Sequence, residues 1–133
     1  VSQYRISLET KTIEGAGGVI DKGEAVEEAL ARELNEEAGI NVEPKTITIV
    51  FNEYTLTSLL NANTFGGIVK INASMVKNKK KRNSGNGERT QVEIFDLKDL
   101  LRRREEGEIK IDLITSRLLD EIAKAVGLLV KKY

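Results

Sequence analysis

The sequence predicts an α/β fold, an α/β/α sandwich in which a mixed β-sheet lies between helices. Short segments rich in Val, Ile, Thr and Phe alternate along the chain with three segments of helical periodicity. This order is typical of a sheet covered by helices on both sides. With 133 residues and 40% apolar content, we expect residues 1–133 to form a single domain with an ordinary core.

The first elements are predicted to be two strands and a helix. Residues 3–7 and 10–13 have strand character, and the run Gly15-Ala16-Gly17-Gly18 suits a tight turn. Residues 25–38 are rich in Ala, Leu and Glu with helical periodicity. Gly39 stands where a glycine commonly ends a helix, so we expect the helix to stop there.

The middle of the chain predicts further strands and one loop. Residues 46–52 and 65–76 are rich in Ile, Val, Thr and Phe and are expected to be strands, with Gly66-Gly67 as a candidate bulge. Residues 77–89 combine a Lys/Arg run with Asn, Ser and Gly and predict a mobile loop. Residues 91–95 are expected to form another strand.

Two helices are predicted to close the chain. Residues 97–104 should form a short helix with Asp96 as its N-cap. Residues 113–130 should form a longer one. Its apolar row repeats at spacings of four, four, four and three: Ile114, Leu118, Ile122, Val126 and Leu129.

Composition excludes several kinds of chemistry. The chain has no cysteine and no histidine, which rules out disulfides, thiolate or imidazole metal sites, and a histidine general base. With 21 basic and 21 acidic residues, the net charge gives no reason to expect nucleic acid or an anionic membrane as partner. No apolar run approaches the roughly 18 residues of a membrane span, and nothing resembles a signal peptide, so we expect a cytoplasmic protein.

Glutamates interrupt the apolar stripe of the helix predicted at 25–38. At about 100° per residue, Glu33 and Glu37 fall inside that stripe and Glu36 lies beside it. Mutual repulsion, burial and the negative end of the helix dipole all oppose this arrangement. One interpretation is a solvated acidic face. The other is a bound divalent cation, and hard oxygen ligands without Cys or His favour Mg²⁺ or Mn²⁺ over zinc.

The segment from Gly18 to Ile40 reads GVIDKGEAVEEALARELNEEAGI. It resembles the Nudix box: Gly, five residues, Glu, seven residues, then Arg-Glu-apolar-x-Glu-Glu-x-Gly-apolar. All the defined positions match: Gly18, Glu24, Arg32, Glu33, Leu34, Glu36, Glu37, Gly39 and Ile40. So long a pattern is far more specific than a lone glycine motif. The resemblance implies the Nudix α/β/α fold and a pyrophosphohydrolase activity.

The resemblance also implies roles for residues of the box. The implied catalytic glutamates and metal ligands are Glu33, Glu36 and Glu37, joined by the backbone carbonyl of Gly17. The implied structural supports are Gly18, Glu24, Arg32 and Gly39. The implied cofactor is Mg²⁺, with Mn²⁺ as its substitute.

Weaker similarities outside the box are to the ADP-ribose and nucleoside-diphosphate-sugar pyrophosphatase branch. Gln3-Tyr4-Arg5 resembles its Gln-aromatic-Arg strand, which implies that Arg5 contacts a substrate phosphate. The segment Glu14 to Gly18 resembles its Glu-Leu-Pro-Ala-Gly segment, which implies that Glu14 lies at the substrate. Glu88, before the apolar residues at 92–94, resembles a loop glutamate that acts as base, and Glu36 is the alternative base.

Two further features bear on this branch. Residues 107–112, followed by a helix, resemble its closing segment. Only two residues precede Gln3, so we expect the N-terminal strand region of that branch to be absent. Tyr54 and Phe65 are candidates for stacking on a nucleobase, with core packing the favoured role of Phe65.

The expected function is Mg²⁺-dependent hydrolysis of a nucleoside diphosphate linked to another moiety. ADP-ribose or a related nucleotide sugar is the leading substrate, giving a nucleoside monophosphate and a sugar phosphate. Two alternatives remain open. One is another Nudix substrate: a dinucleoside polyphosphate, an (oxidised) nucleoside triphosphate or an RNA 5′ end. The other is a catalytically silent nucleotide-binding module. A small molecule is the expected partner, and a homodimer is compatible with the sequence.

Overall fold

The computed structural model describes residues 1–5, 9–55, 62–76, 82–83 and 89–128. Its strands pair antiparallel in two sheets within these residues. One sheet has four strands in the order β2-β1-β6-β5, and the other pairs β3 with β4. The strands are β1 Ser2–Arg5, β2 Thr10–Ile13, β3 Thr48–Thr55, β4 Ala62–Ile68, β5 Arg82–Asn83 and β6 Arg89–Gln91.

Three α-helices accompany the sheets in the described part of the chain: α1 Val26–Glu33, α2 Leu97–Glu105 and α3 Leu113–Ala125. A π-helical turn, Leu34–Ala38, directly continues α1. Asp96 caps α2, as predicted, by accepting a hydrogen bond from the Asp99 N–H at 3.0 Å. None of the helices described here combines the length and apolar character needed to cross a bilayer.

The predicted α/β class is confirmed, and several predicted bounds are corrected. The strand predicted at 65–76 ends at Ile68, because Ile68 pairs with Thr48, the first residue of β3. The strand predicted at 91–95 ends at Gln91, where the β1–β6 pairing reaches Ser2. Within the predicted loop 77–89, residues 82–83 instead form β5, and 77–81 and 84–88 lie outside the described residues.

A parallel contact joins the two ends of the fold. Ile13, the last residue of β2, forms a parallel bridge with Ile111, and its N–H donates to the Lys110 carbonyl at 2.8 Å. Asp112 then caps α3 by accepting from the Thr115 N–H at 3.0 Å. The start of α3 therefore lies beside the chain just after β2.

The most buried positions of helix α3 are not those of the predicted apolar row, in which Leu118 and Ile122 are half-buried. The deeply buried positions are Thr115, Leu119 and Ala123, one residue on from the predicted apolar row. Ile114 and Val126, both in that row, are 40% and 61% exposed. The shift follows from packing: the small Ala123 is completely buried, and Thr115 faces the segment after β2. The helix also ends at Ala125, short of the predicted residue 130.

The irregularity in the β3–β4 pair lies opposite the predicted bulge. The register shifts between Ile49 and Phe51 on β3, where they face Gly67 and Gly66. A Cβ atom at position 66 would come within 2.2 Å of the ring of Phe51, which is buried. Gly66 thus makes room for the Phe51 ring.

Replacing Gly66 should destabilise the fold through this contact. We expect Gly66→Ala to lower the free energy of unfolding by about 1–3 kcal/mol, measured by urea denaturation, because the added methyl overpacks the Phe51 ring. Adding Phe51→Leu should recover part of the loss. Gly17→Ala is the matched control, since its Cβ would meet no atom within 4 Å. Equal stabilities of Gly66→Ala and the control would contradict the packing argument.

A glutamate-rich helix end against a glycine loop

Arg32 ties the loop before α1 to the helix. Its Nε donates to Glu24 Oε1 at 2.9 Å and its Nη2 to Glu24 Oε2 at 3.0 Å. The same Nη2 donates to the Val19 carbonyl at 2.9 Å. Glu24 Oε2 also accepts from the Asp21 N–H at 3.0 Å. A two-pronged arginine–carboxylate pair of this kind fixes orientation as well as charge.

The same contacts set the protonation of the pair. Hydrogen bonds from Arg32, helped by the Asp21 N–H, lower the pKa of Glu24 from 4.5 to about 2. Hydrogen bonds to Glu24 and Glu33 raise the pKa of Arg32 above its already high value. Both groups are therefore charged at neutral pH.

Arg32 also partly neutralises the next carboxylates of the helix. Its Nη1 lies 2.5 Å from Glu33 Oε1 and 3.8 Å from Glu36 Oε2. One guanidinium is thus shared among Glu24, Glu33 and Glu36. Together with Glu37, these residues form a cluster of four glutamates and one arginine. The cluster therefore has an excess of negative charge.

Glu33 packs directly on Gly18. A Cβ atom at position 18 would lie 2.2 Å from Glu33 Oε1 and 2.4 Å from its Cδ. No side chain fits there unless the Glu33 carboxylate moves, and the contact with Arg32 restrains that movement. The glycine at the start of the motif therefore allows the loop and the helix carboxylate to touch.

Glu37 is the most buried acidic group of the cluster. The residue is 8% exposed, and its Oε2 accepts the Gly17 N–H at 3.2 Å. Glu36 differs, since 52% of its side chain is exposed. The exposure of the three glutamates agrees with the helical wheel, which places Glu33 and Glu37 within the apolar stripe and Glu36 beside it.

A π-helical turn carries Glu36 and Glu37, and the sequence analysis did not predict it. The turn spans Leu34–Ala38, immediately after Glu33. Isolated π-turns often occur at functional sites because they change the direction in which side chains leave a helix. Gly39 ends it in the left-handed conformation, with φ 68°, as the sequence predicted.

Arg5 and Glu14 form a second group, and Glu14 directly precedes the glycine loop, residues 15–18. Arg5 Nε donates to Glu14 Oε1 at 2.7 Å, and Arg5 Nη2 donates to the other carboxylate oxygen. The Thr12 hydroxyl donates to Glu14 Oε1. The hydrogen bond from Arg5 is the main cause that lowers the pKa of Glu14. The sequence placed both residues at a substrate but did not predict that they pair with each other.

Helix α3 anchors the segment between these two groups. The Thr115 hydroxyl accepts the Gly15 N–H at 2.7 Å, and Thr115 is 7% exposed. This contact spans 100 residues of sequence. Sequence reasoning missed Thr115 and Thr12, because neither belongs to the motif and isolated threonines carry no chemical signal.

The carboxylates suit a hard divalent cation in donor type, but they do not converge on one point. Across the described ranges, no three Asp, Glu, His or Cys side chains are grouped closely enough to hold a metal ion. Glu33 is engaged by Arg32 and Glu37 by the Gly17 N–H. Oxygen ligands of this kind fit Mg²⁺ or Mn²⁺. Glu36, whose side chain is exposed, is the carboxylate of the cluster with most freedom to turn towards a cation. Glu88 lies outside the described residues.

Comparison with protein families identifies the chain. The NUDIX domain profile matches residues 5–115, which is most of the sequence, so the chain belongs to the NUDIX family. No curated protein sequence matches it significantly. The chain is a Nudix pyrophosphohydrolase that acts on nucleoside diphosphate derivatives.

Removal of the Thr115 hydroxyl should loosen the glycine loop. We expect Thr115→Val to lower the free energy of unfolding by about 1–3 kcal/mol, because it leaves the Gly15 N–H without its acceptor. Amide hydrogen exchange at Gly15 should accelerate. Thr115→Ser keeps the hydroxyl and is the control. Unchanged exchange at Gly15 in Thr115→Val would refute the anchoring role.

Acidification should weaken the loop–helix tie in a defined pH window. The folded-state pKa of Glu24 is about 2, below its ordinary value of 4.5, so its stabilising contribution is complete above pH 4.5. That contribution is lost as the pH falls from 4.5 towards 2. We expect the difference in urea midpoint between wild type and Glu24→Gln to shrink over this window. A constant difference there would contradict the assignment, and Glu27→Gln, outside this ion pair, serves as control.

Proposed function

We propose that this enzyme uses Mg²⁺ to hydrolyse the diphosphate of ADP-ribose or a related nucleotide sugar, releasing a nucleoside monophosphate and a sugar phosphate. The main support is the contact between the carboxylates of Glu33 and Glu37 and the Gly17-Gly18 segment. The carboxylates supply hard oxygen ligands, and their negative charges outnumber the single positive charge of Arg32. They lie beside two glycines, which have no side chains to obstruct a substrate.

The metal ligands in this proposal are Glu33, Glu36, Glu37 and the carbonyl of Gly17. When bound, the cation polarises the phosphate and lowers the pKa of water. The protein contributes orientation: Arg32 restrains Glu33, and Gly18 allows it to approach the loop. The Gly17 N–H holds Glu37 in the buried position that it occupies.

The proton acceptor must be a carboxylate, since the chain has no histidine. Glu36 is the exposed member of the four-glutamate cluster, so solvent water reaches it. Glu88 is the other candidate from the sequence. Water adds to one phosphorus, the bond from that phosphorus to the bridging oxygen breaks, and the departing phosphate retains this oxygen.

Arg5 binds a substrate phosphate in this proposal, and Glu14 positions it. The guanidinium is held by both oxygens of Glu14, while 39% of the Arg5 side chain is exposed. Thr12 and the Thr115–Gly15 contact fix Glu14 and the segment that follows it. An arginine oriented in this way matches the geometry of a phosphate.

Loss of the buried glutamate should abolish turnover. Glu37→Gln removes a charged ligand from the proposed site, and metal stabilisation of several kcal/mol corresponds to a fall in kcat of at least about 100-fold. Hydrolysis of ADP-ribose with and without Mg²⁺ is the measurement. Glu27→Gln, at the other end of α1, is the matched control. Equal activity of both variants would refute the proposal.

A substrate panel tests the choice of substrate and the remaining alternatives. The panel contains ADP-ribose, nucleotide sugars, dinucleoside polyphosphates, nucleoside triphosphates and RNA with a 5′ triphosphate or cap. Highest kcat/KM on ADP-ribose or a nucleotide sugar supports the proposal. Highest activity on another group replaces the substrate while keeping the reaction. Nucleotide binding without hydrolysis of any compound would leave only the silent module.

A further inference from the structure

A cleft of about 430 Å³ opens beside the glutamate cluster. Its walls come from the loop at 18–20, from one side of α1, from residues 62–65 of β4 and from Ile114 at the start of α3. The volume lies within the range of small-molecule sites, roughly 300–1,000 Å³.

The cleft is continuous with the proposed catalytic site. Gly18 and Glu33 belong to its lining, and they are also the loop glycine and helix carboxylate that touch each other in the glutamate cluster. A compound whose diphosphate lies at that cluster can therefore extend one of its two ends into the cleft. The chemistry of the walls indicates which end it is.

The walls suit an uncharged, flat group. Most lining side chains are apolar, and Glu33 is the charged one. No Lys or Arg is among the described residues that line the cleft, so these residues offer no cation for a phosphate. A sugar would bring several hydroxyls, whereas Asn63 and Thr64 are the lining residues with neutral polar side chains. A nucleobase needs few hydrogen bonds and offers two apolar faces.

Asn63 and Phe65 are placed to recognise such a base. They are two residues apart on β4, so their side chains leave the same face of the strand. Phe65 offers an aromatic ring for stacking, and the exposed Asn63 offers both a donor and an acceptor for the edge of a base. The half-buried Phe65 lines the cleft, whereas the sequence favoured core packing for it.

We propose that this cleft binds the nucleobase of the substrate, with Phe65 stacking on the base and Asn63 contacting its edge. The proposal rests on the proposed function, since it takes the diphosphate to lie at the glutamate cluster. It makes Phe65 and Asn63 specificity-determining residues, and it directs the sugar phosphate end of the substrate away from the cleft.

Equilibrium binding of two half-substrates tests the proposal. AMP carries the base and ribose 5-phosphate does not, and both are titrated calorimetrically with Mg²⁺ present. We expect wild type to bind AMP more tightly than ribose 5-phosphate. Phe65→Leu should raise the Kd for AMP about tenfold and leave that for ribose 5-phosphate unchanged. Phe95→Leu, an aromatic residue that does not line the cleft, is the matched control.

Asn63→Leu provides a second variant that does not disturb the core, because Asn63 is exposed. It should reduce the preference among AMP, GMP, CMP and UMP. The proposal is overturned if wild type does not bind AMP more tightly than ribose 5-phosphate, or if neither variant changes AMP binding. Hydrolysis by wild type and Glu37→Gln is measured separately, so a misplaced base is distinguishable from an absent activity.

Discussion

Electrostatic repulsion at the end of one helix constrains the site. Three carboxylates, those of Glu24, Glu33 and Glu36, contact the Arg32 guanidinium, and Glu33 and Glu36 lie at the helix end where the backbone dipole also disfavours negative charge. Arg32 and the Gly17 N–H offset part of this repulsion, and partial exposure of Glu36 relieves more. The remaining negative charge is what makes a divalent cation a suitable ligand. The protein thus offsets part of the charge of the cluster and leaves a net negative charge there.

The glycine loop and the far end of the chain make this arrangement geometrically feasible. Gly18 lets Glu33 lie against the loop, because any side chain there would occupy the position of its carboxylate. The loop is in turn held by the Ile13–Ile111 bridge, just before α3, and by the hydroxyl of Thr115 on α3. Residues far apart in sequence therefore determine where the glutamates lie. The cleft proposed for the base depends on the same assembly, since Gly18, β4 and Ile114 all line it.

Sequence reasoning succeeded where the signal was local. The end of the first helix at Gly39, the cap at Asp96 and the side of the helix taken by Glu33 and Glu37 all depend on residues within a few positions of one another. It failed where pairing between distant segments decided the outcome. The apolar run after Ile68 suggested a longer strand, but the pairing partner of Ile68 is the first residue of β3. On α3, the apolar spacing predicted a row that is partly exposed in the structure. The positions that pack most closely against the rest of the fold include Thr115 and Ala123 instead.

By itself the sequence determined the α/β class and the family, and it predicted which residues would hold a metal, because the spacing of a long motif is fixed along the chain. The tertiary structure decided how those residues are held. It pairs Arg5 with Glu14, places Glu37 under the Gly17 N–H and opens a cleft between Gly18 and β4. The physical reason is that a hydrogen bond or a cleft wall depends on distances in space, and the separation of residues along the chain does not specify those distances.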